Sequence, residues 1–167
     1  MFKNLLLLLI FAMPASTIAQ SEPRELDTHR DWVSYVFNNA EGKVCYIASE
    51  PLESSPTLEG RGETWVTVTH RPAADIKNEV GIIAGYVYQT GTQVNVIIDT
   101  EKFDMFTFED GAWLRTMQEE VTVVEAMKRG RRMTVVGYST TGVTTTDKYS
   151  LLGFTAAHRA ISKECAK

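Results

Sequence analysis

Apolar and polar residues alternate with a period of two along most of the chain, and this pattern predicts β-strands. The clearest case is the segment 92–99, where Val94, Val96 and Ile98 alternate with polar residues. Comparable runs, rich in β-branched and aromatic residues, predict strands at 31–37, 43–50, 63–71, 79–89, 102–108, 112–115, 132–140 and 144–152. Turn signals separate many of these runs, so we expect neighbouring strands to pair antiparallel.

Two segments change to the helical period of 3.6. The segment 119–129 carries its apolar residues on one face and ends at Gly130, which is typical of a helix C-terminus. The segment 153–163 predicts a short amphipathic helix, and the polar segment 51–62, with its prolines and glycines, predicts a mobile loop. The predicted fold class is mainly β: an antiparallel β-sandwich or partly open barrel with one or two short covering helices.

The N-terminal residues follow a different pattern. A positive charge precedes the unbroken apolar run 5–12, and small residues follow it up to Ala19. This arrangement predicts a signal peptide at 1–19, because the run is too short to span a bilayer. We therefore expect a loose N-terminal arm at 20–30 and a single β-rich exported domain over 31–167, located in the periplasm, at the outer membrane or in the secreted fraction.

Charge excludes some classes of partner. The chain has 17 Lys and Arg against 21 Asp and Glu, and Lys3 is the only charge in 1–19, so residues 20–167 carry 16 − 21 = −5. A mildly acidic domain is a poor candidate for binding nucleic acid or an anionic membrane surface. No second apolar run approaches the length of about 20 residues that a membrane helix needs, so we expect no transmembrane segment in the mature chain.

The two cysteines of the chain are Cys45 and Cys165. In an oxidising compartment two cysteines usually pair, and we predict a disulfide between them. Such a bond would close a loop of about 120 residues, for which the loss of loop entropy in the unfolded chain is worth about 4–5 kcal/mol. Two separate thiols, or one reactive thiol, are the alternatives. No Cys-x-x-Cys motif supports a redox-exchange role.

No catalytic, cofactor-binding or metal site is predicted. The chain has three histidines without metal-ligand spacing, although a site assembled in space stays open: His29, His70 and His158. No Gly-x-Ser-x-Gly motif marks a serine nucleophile. The adjacent carboxylates at 109–110 and 119–120 have local roles, the first in a turn and the second at a helix start.

One dense cluster of positive charge stands out in this acidic chain. It consists of Lys128, Arg129, Arg131 and Arg132. One interpretation is a helix C-terminus followed by a solvated turn. The other is a patch for an anionic partner, such as a lipid headgroup, lipopolysaccharide or an acidic protein surface.

Several short motifs give the chain a family resemblance. They are Lys-Val-Cys-Tyr at 43–46, Thr-His-Arg-Pro at 69–72, Ala-Met-Lys-Arg-Gly at 126–130 and Tyr-Ser-Leu-Leu-Gly-Phe-Thr-Ala-Ala at 149–157. With the export signal and the terminal cysteine, they resemble the invasion-associated locus B family over nearly all of the mature chain.

The resemblance implies a mostly β exported protein of Gram-negative bacteria, in a family whose founding members are linked to host-cell invasion. It brings no established catalytic residues. It also implies that Phe154 anchors the last helix and that Cys165 clips its end to the first hairpin at Cys45. The chain departs from better-known members, which carry another cysteine pair in the region matching 103–113, and so resembles a divergent, shorter branch.

These observations lead to two functional expectations. The first is a non-enzymatic cell-envelope protein that acts through surface interactions with an envelope or host component, whether protein or lipid. The alternative is a periplasmic carrier that binds a small apolar or amphipathic ligand between its sheets, where aromatic residues line an apolar pocket.

Overall fold

Eleven strands form an antiparallel sheet in the computed structural model, which describes residues 21–166. The strands are β1 (Arg24–His29), β2 (Trp32–Asn39), β3 (Gly42–Ser49), β4 (Glu53–Ser55), β5 (Trp65–Arg71), β6 (Ile76–Ile83), β7 (Gln93–Ile98), β8 (Glu101–Phe108), β9 (Gly111–Trp113), β10 (Arg132–Tyr138) and β11 (Thr144–Ser150). The helices are α1 (Met117–Arg129), α2 (Phe154–Cys165) and a 3-10 turn at Pro72–Ala74. The predicted signal peptide at 1–19 lies outside the described residues.

The order of the strands across the sheet is β1-β2-β3-β5-β6-β9-β8-β7-β10-β11-β4. Most neighbours are close in sequence, as short hairpin connections require. Among the exceptions, β6 pairs with β9 and β7 pairs with β10. The longest excursion is that of β4, which follows β3 along the chain but pairs with β11 at the far edge. The chain then returns to β5, which pairs with β3. Because β1 and β4 are edge strands, the sheet is not closed into a barrel.

The prediction of a mainly β fold with one or two short helices is confirmed. The strands belong to one open sheet rather than to two separate sheets. The predicted helices correspond to α1 and α2, and the strand predicted at 79–89 lies at Ile76–Ile83. Within residues 21–166, no helix has the length and apolar character that crossing a membrane requires.

The prediction of a loose arm at 20–30 is wrong for β1. This strand pairs with β2, with His29 opposite Trp32 and a bulge between Glu25 and Asp27. Most side chains of β1 are polar and exposed, so hydrophobic periodicity does not reveal the strand. Backbone hydrogen bonds to β2 hold it at the sheet edge, and Leu26 packs against the core.

The prediction of a mobile loop at 51–62 is also wrong for part of that segment. Three of its residues form β4, and the Leu52 N–H donates to the Lys148 carbonyl at 2.7 Å. The guanidinium of Arg61 is buried and donates two hydrogen bonds to the Asp147 carboxylate, at 2.9 and 2.7 Å. A polar sequence is thus fixed by backbone pairing and by ion pairs, since Glu53 also pairs with Lys148 at 3.0 Å.

The core lies between the sheet and both helices. The helix α2 packs against β1, β2, β3 and β5, and α1 packs against β6. Trp32 and Phe154 meet edge to face with ring centroids 4.9 Å apart, and the Trp32 indole N–H donates to the Ser150 carbonyl at 2.9 Å. The largest fully buried side chains come from the sheet and both helices: Trp32, Tyr149, Phe154, Ile47, Ile82, Ile98, Met105, Met127, Met133 and Ile161.

The two ends of α2 are fixed in different ways. At its start Gly153 has a left-handed φ of +96°, and a Cβ there would lie 1.8 Å from the His29 carbonyl oxygen. Only glycine therefore allows the β1–β2 turn to approach so closely. At its end Cys165 forms the predicted disulfide with Cys45 on β3, with the Cα atoms 6.0 Å apart. Phe154, in the first turn, is fully buried, as the family resemblance implied.

Removing the disulfide should destabilise the fold, because the bond closes a loop with a sequence separation of 120 residues. We expect Cys45→Ser to lower the free energy of unfolding by a few kcal/mol, up to about 4–5 kcal/mol. Urea unfolding of the oxidised protein and the variant measures this difference.

The matched control is Cys165→Ser, which removes the same bond at a half-buried rather than a fully buried position. Both variants, and the parent protein after reduction, should lose similar stability. An unchanged unfolding free energy of the reduced parent would contradict a stabilising role.

Candidate functional site

The predicted basic cluster divides into two pairs of residues. Lys128, in the last turn of α1, is paired with Glu125 at 2.8 Å, and Arg129 is paired with Glu101 at 3.3 Å. These two cations satisfy nearby carboxylates and complement the negative end of the helix dipole. The interpretation as a helix C-terminus therefore describes this pair.

Arg131 and Arg132 are placed differently. Both are exposed, and within the described residues 21–166 neither guanidinium forms an ion pair. Their backbone N–H groups donate to the Asp99 carboxylate at 3.2 Å each, which fixes the chain between α1 and β10. Gly130 allows this turn, because a Cβ would lie 2.6 Å from Ile98 Cγ2. The two arginine side chains are thus available to a ligand.

Arg131 and Arg132 lie beside an open groove of about 830 Å³ on the solvent side of β10 and β11, which we call the outer groove. Its lining residues come from β10, β11, β4 and the segments next to them: Leu52, Glu53, Arg131, Arg132, Met133, Thr134, Lys148, Tyr149, Ser150 and Leu152. The groove combines cations with exposed apolar side chains, since Leu52 is 70% and Leu152 is 51% exposed.

Strand register explains why these residues meet. On β10 and β11, Thr134 is opposite Lys148 and Arg132 is opposite Ser150. Because side chains alternate across a strand, Met133 on β10 instead faces the core. The short strand β4 adds the third side of the groove, where Glu53 is opposite Lys148 and pairs with it at 3.0 Å.

Half of the predicted patch belongs to the outer groove, and several groove residues were not predicted. The sequence predicts a loop at Leu52 and Glu53 and an ordinary strand at Lys148. The structure leaves Leu152 exposed although Tyr149, Ser150 and Leu151 before it are buried, and the sequence gives no signal for this. An exposed leucine of this kind is informative only beside charged groups.

A second polar cluster is buried beneath α2. The Nε2–H of His158 donates to Asn78 Oδ1 at 2.8 Å, and the Asn78 N–H donates to His70 Nδ1 at 3.1 Å. The rings of His70 and His158 meet edge to face, 5.3 Å apart. His29 lies apart on β1, so the three predicted histidines are not brought together. In the part of the chain that the structure describes, no group of three or more His, Cys, Asp or Glu residues is arranged to hold a metal ion.

His70 also contacts Ser162 of α2, with Nε2 and Oγ 3.1 Å apart. Because Nδ1 accepts the Asn78 N–H, the proton of neutral His70 is on Nε2, which therefore donates to Ser162. A histidine that activates a serine must instead accept its proton at Nε2. This pair is thus arranged to support α2 rather than to generate a nucleophile.

Burial controls the charge of this cluster. It lowers the pKa of His158 to about 4, and the positive charge of Lys128 acts in the same direction. Burial likewise lowers the pKa of His70. On α1, burial raises the pKa of Glu120 to about 7, although its carboxylate accepts the Val80 N–H at 2.8 Å. The fold therefore accommodates both histidines in their neutral form.

The fold and its surface define a class of protein: a β-rich domain with a disulfide-clipped terminal helix, a basic and apolar surface groove, and no metal cluster among residues 21–166. The model of the Invasion associated locus B (IalB) protein family matches residues 32–162, and the chain belongs to this family. The family resemblance read from the sequence motifs is confirmed. Comparison with curated proteins gives no match, and neither does comparison with solved structures.

Acid should weaken the fold through His158, which stays neutral in the folded state down to a pKa of about 4 but takes up a proton near its ordinary value of 6.5 when unfolded. Its contribution is fully present above about pH 6.5 and is lost as the pH falls toward 4, to a limit of about 3 kcal/mol. The measurement is the unfolding free energy of the parent and of His158→Gln from pH 7 to pH 4.

The difference in unfolding free energy between these two proteins reports on His158 alone, because both keep Glu120. The raised pKa of Glu120 would otherwise stabilise the fold as the pH falls over this range. The parent should lose stability relative to His158→Gln as the pH falls. The same loss should occur when both proteins also carry Glu120→Gln. A difference that stays constant with pH would contradict the assignment.

Proposed function

We propose that this protein is an exported, non-enzymatic cell-envelope protein that acts through surface interactions with an anionic component of the envelope or the host surface. The outer groove is the interacting surface, and Arg131 and Arg132 are its main contacts. Membership of the invasion-associated locus B family supports this proposal.

Two features support export. The sequence 1–19 has the pattern of a signal peptide. The Cys45–Cys165 disulfide is a bond that persists in oxidising compartments and is rare in the cytosol. Together they favour the periplasm, the outer membrane or the secreted fraction as the location.

The observation that carries the interaction proposal is the contrast within the basic cluster. Lys128 and Arg129 are paired with carboxylates, whereas Arg131 and Arg132 are exposed beside the outer groove. Guanidinium groups bind phosphate and carboxylate groups through two parallel hydrogen bonds, so two adjacent arginines favour an anionic partner.

The non-enzymatic part of the proposal rests on the buried polar groups. The proton of His70 is directed toward Ser162, which is the wrong arrangement for nucleophilic catalysis. Glu120, whose pKa is raised to about 7, accepts a backbone N–H and is buried between α1 and β6. Such groups are more simply explained by the packing of the two helices.

A carrier of a small amphipathic ligand is the second candidate function. The observation that favours it is the combination of Leu52 and Leu152 with cations in one groove. In this form the ligand would lie on the solvent side of the sheet, not between two sheets as the sequence interpretation placed it.

Replacing Arg131 and Arg132 by glutamine should weaken binding to vesicles that contain phosphatidylglycerol. At low salt we expect a loss of about 10- to 30-fold, since each basic residue near an anionic surface contributes about 1 kcal/mol. Sedimentation with vesicles of increasing phosphatidylglycerol content measures the affinity, and added salt should reduce it.

The matched control is Lys128→Gln with Arg129→Gln, which removes the same charge from residues already paired with carboxylates. It should retain most of the affinity. Equal losses of affinity in both double variants would show that only the net charge matters and would contradict the specific role of Arg131 and Arg132. An absence of vesicle binding by the parent protein would also contradict the proposal.

Export is tested separately by cell fractionation and mass spectrometry of the N-terminus. We expect the protein outside the cytoplasm, beginning at Gln20 after cleavage behind Ala19. Ala19→Arg should block cleavage and leave the longer form, because the processing site needs a small residue at this position. An intact N-terminus on a cytoplasmic parent protein would contradict export.

A further inference from the structure

We propose that the outer groove binds a single molecule of a phosphate-headed lipid with an alkyl chain. The phosphate contacts the guanidinium groups of Arg131 and Arg132, and the chain lies against Leu52 and Leu152. This inference rests on the proposed function, because both use the same two arginines, but it names a ligand and a mode of binding that surface attraction alone does not require.

The charges of the outer groove favour an anion even after its acidic residues are counted. Arg131, Arg132 and Lys148 bring three cations, and Glu53 is the one carboxylate among the lining residues. Glu53 pairs with Lys148 at 3.0 Å. The nearby Asp99 carboxylate accepts hydrogen bonds from the backbone N–H groups of the two arginines rather than from their guanidinium groups. The two guanidinium groups are therefore the positive charges free to take a phosphate.

The apolar side chains at the same groove favour an alkyl chain. Leu52 and Leu152 are two of the large apolar residues left exposed by the described part of the chain. Their positions are fixed, since the Leu52 N–H donates to the Lys148 carbonyl at 2.7 Å and the Leu152 N–H donates to Ser150 Oγ at 3.1 Å. Covering such side chains with an alkyl chain removes apolar surface from water.

The shape of the groove favours one molecule over a flat membrane surface. Its volume of about 830 Å³ lies in the range of sites that hold small organic ligands. Cations and leucines line the same concavity, so a head and a chain can be bound together. A flat bilayer presents phosphates alone, with its chains directed away from the protein.

The experiment titrates the full exported protein with four soluble probes, and the two octyl compounds are used below the concentrations at which they form micelles. They are octyl phosphate, butyl phosphate, inorganic phosphate and octyl glucoside. Octyl phosphate combines head and chain, butyl phosphate shortens the chain, inorganic phosphate has none, and octyl glucoside has the chain without the charge. Isothermal titration gives the affinities, and NMR chemical shifts of the lining residues locate the binding.

We expect octyl phosphate to bind most tightly, with a single molecule bound per chain. Each methylene group that becomes buried should tighten binding by about fourfold, so butyl phosphate and inorganic phosphate should be much weaker. Octyl glucoside should be at least tenfold weaker than octyl phosphate, because it lacks the charge that the arginines bind.

Two double variants and one control assign the contacts. Arg131→Gln with Arg132→Gln should weaken octyl phosphate at least tenfold and leave octyl glucoside unchanged. Leu52→Ser with Leu152→Ser should remove the dependence on chain length. The control, Lys128→Gln with Arg129→Gln, should bind octyl phosphate as the parent does. Circular dichroism and thermal unfolding check that each variant is folded, which surface positions permit.

Three results would overturn the inference. They are equal affinity for octyl phosphate and inorganic phosphate, equal affinity for octyl phosphate and octyl glucoside, and an equal loss in the control variant. If vesicles bind in an Arg131- and Arg132-dependent manner but octyl phosphate does not, the proposed function stands and the single-lipid site fails. If octyl phosphate binds and vesicles do not, the site stands and surface attachment fails.

Discussion

The ion pair between Arg61 and Asp147 fixes the path on which the rest of the surface depends. The chain leaves β3, forms β4 at the far edge of the sheet, and returns to β5 beside β3. Arg61 lies on the return path, and its guanidinium binds Asp147 on β11 and the Ala84 carbonyl after β6. Its side chain is 9% exposed and that of Asp147 is 3%. Such a buried charge must keep its partner, because losing one costs about 3–5 kcal/mol.

The outer groove lies on the same excursion of the chain as this ion pair. Leu52 and Glu53 lie on the outward path of the same excursion, and they line the groove only because β4 pairs with β11. Tyr86 supports the arrangement, since Arg61 Cζ lies 5.1 Å from its ring centroid and its hydroxyl contacts Thr145 Oγ1 at 2.6 Å. The buried Arg61–Asp147 contact on one side of β11 and the groove residues on its solvent side thus belong to the same excursion of the chain.

The terminal helix α2 is held in place by buried hydrogen bonds and by a covalent bond. His158 on the inner face of α2 meets His70 and Asn78 of the sheet, and burying such groups is unfavourable unless each finds a partner. Their hydrogen bonds form only when α2 has its correct rotation over the sheet, so they specify position more than they add stability. The Cys45–Cys165 bond and the buried ring of Phe154 hold the two ends of the same helix. Position and stability are thus supplied by different groups.

Sequence reasoning located the elements whose side chains alternate or repeat, because these patterns follow directly from burial. It found β7 through its alternating valines and isoleucines, and it found the disulfide from the compartment. The predicted start of α1, at residue 119, is two residues late. The spacing Thr-x-x-Glu of Thr116 and Glu119 is typical of the capping box that they form.

The elements that sequence reasoning missed are held by other means. β1 and β4 are polar edge strands, and nothing in a polar sequence indicates which partner its backbone will find. The contact of Arg61 with Asp147 joins residues 86 positions apart, and no local pattern encodes it. The outer groove depends on the placement of β4. The sequence therefore predicted its two arginines but not the leucines beside them.

The edges of an open sheet bear on how such a protein meets its partners. An exposed edge strand normally invites another strand to pair with it. Here β1 is interrupted by a bulge between Glu25 and Asp27, and β4 is only three residues long with Glu53 engaged by Lys148. Both edges therefore resist the addition of a strand, by irregularity in one case and by brevity and charge in the other. The faces of the sheet are the other surfaces it presents, and one face is covered in part by α2. The solvent side of β10 and β11 remains, where Arg131 and Arg132 lie beside two exposed leucines. The short strand β4, which ends the sheet at this edge, is thus also the strand that supplies Glu53 to the outer groove.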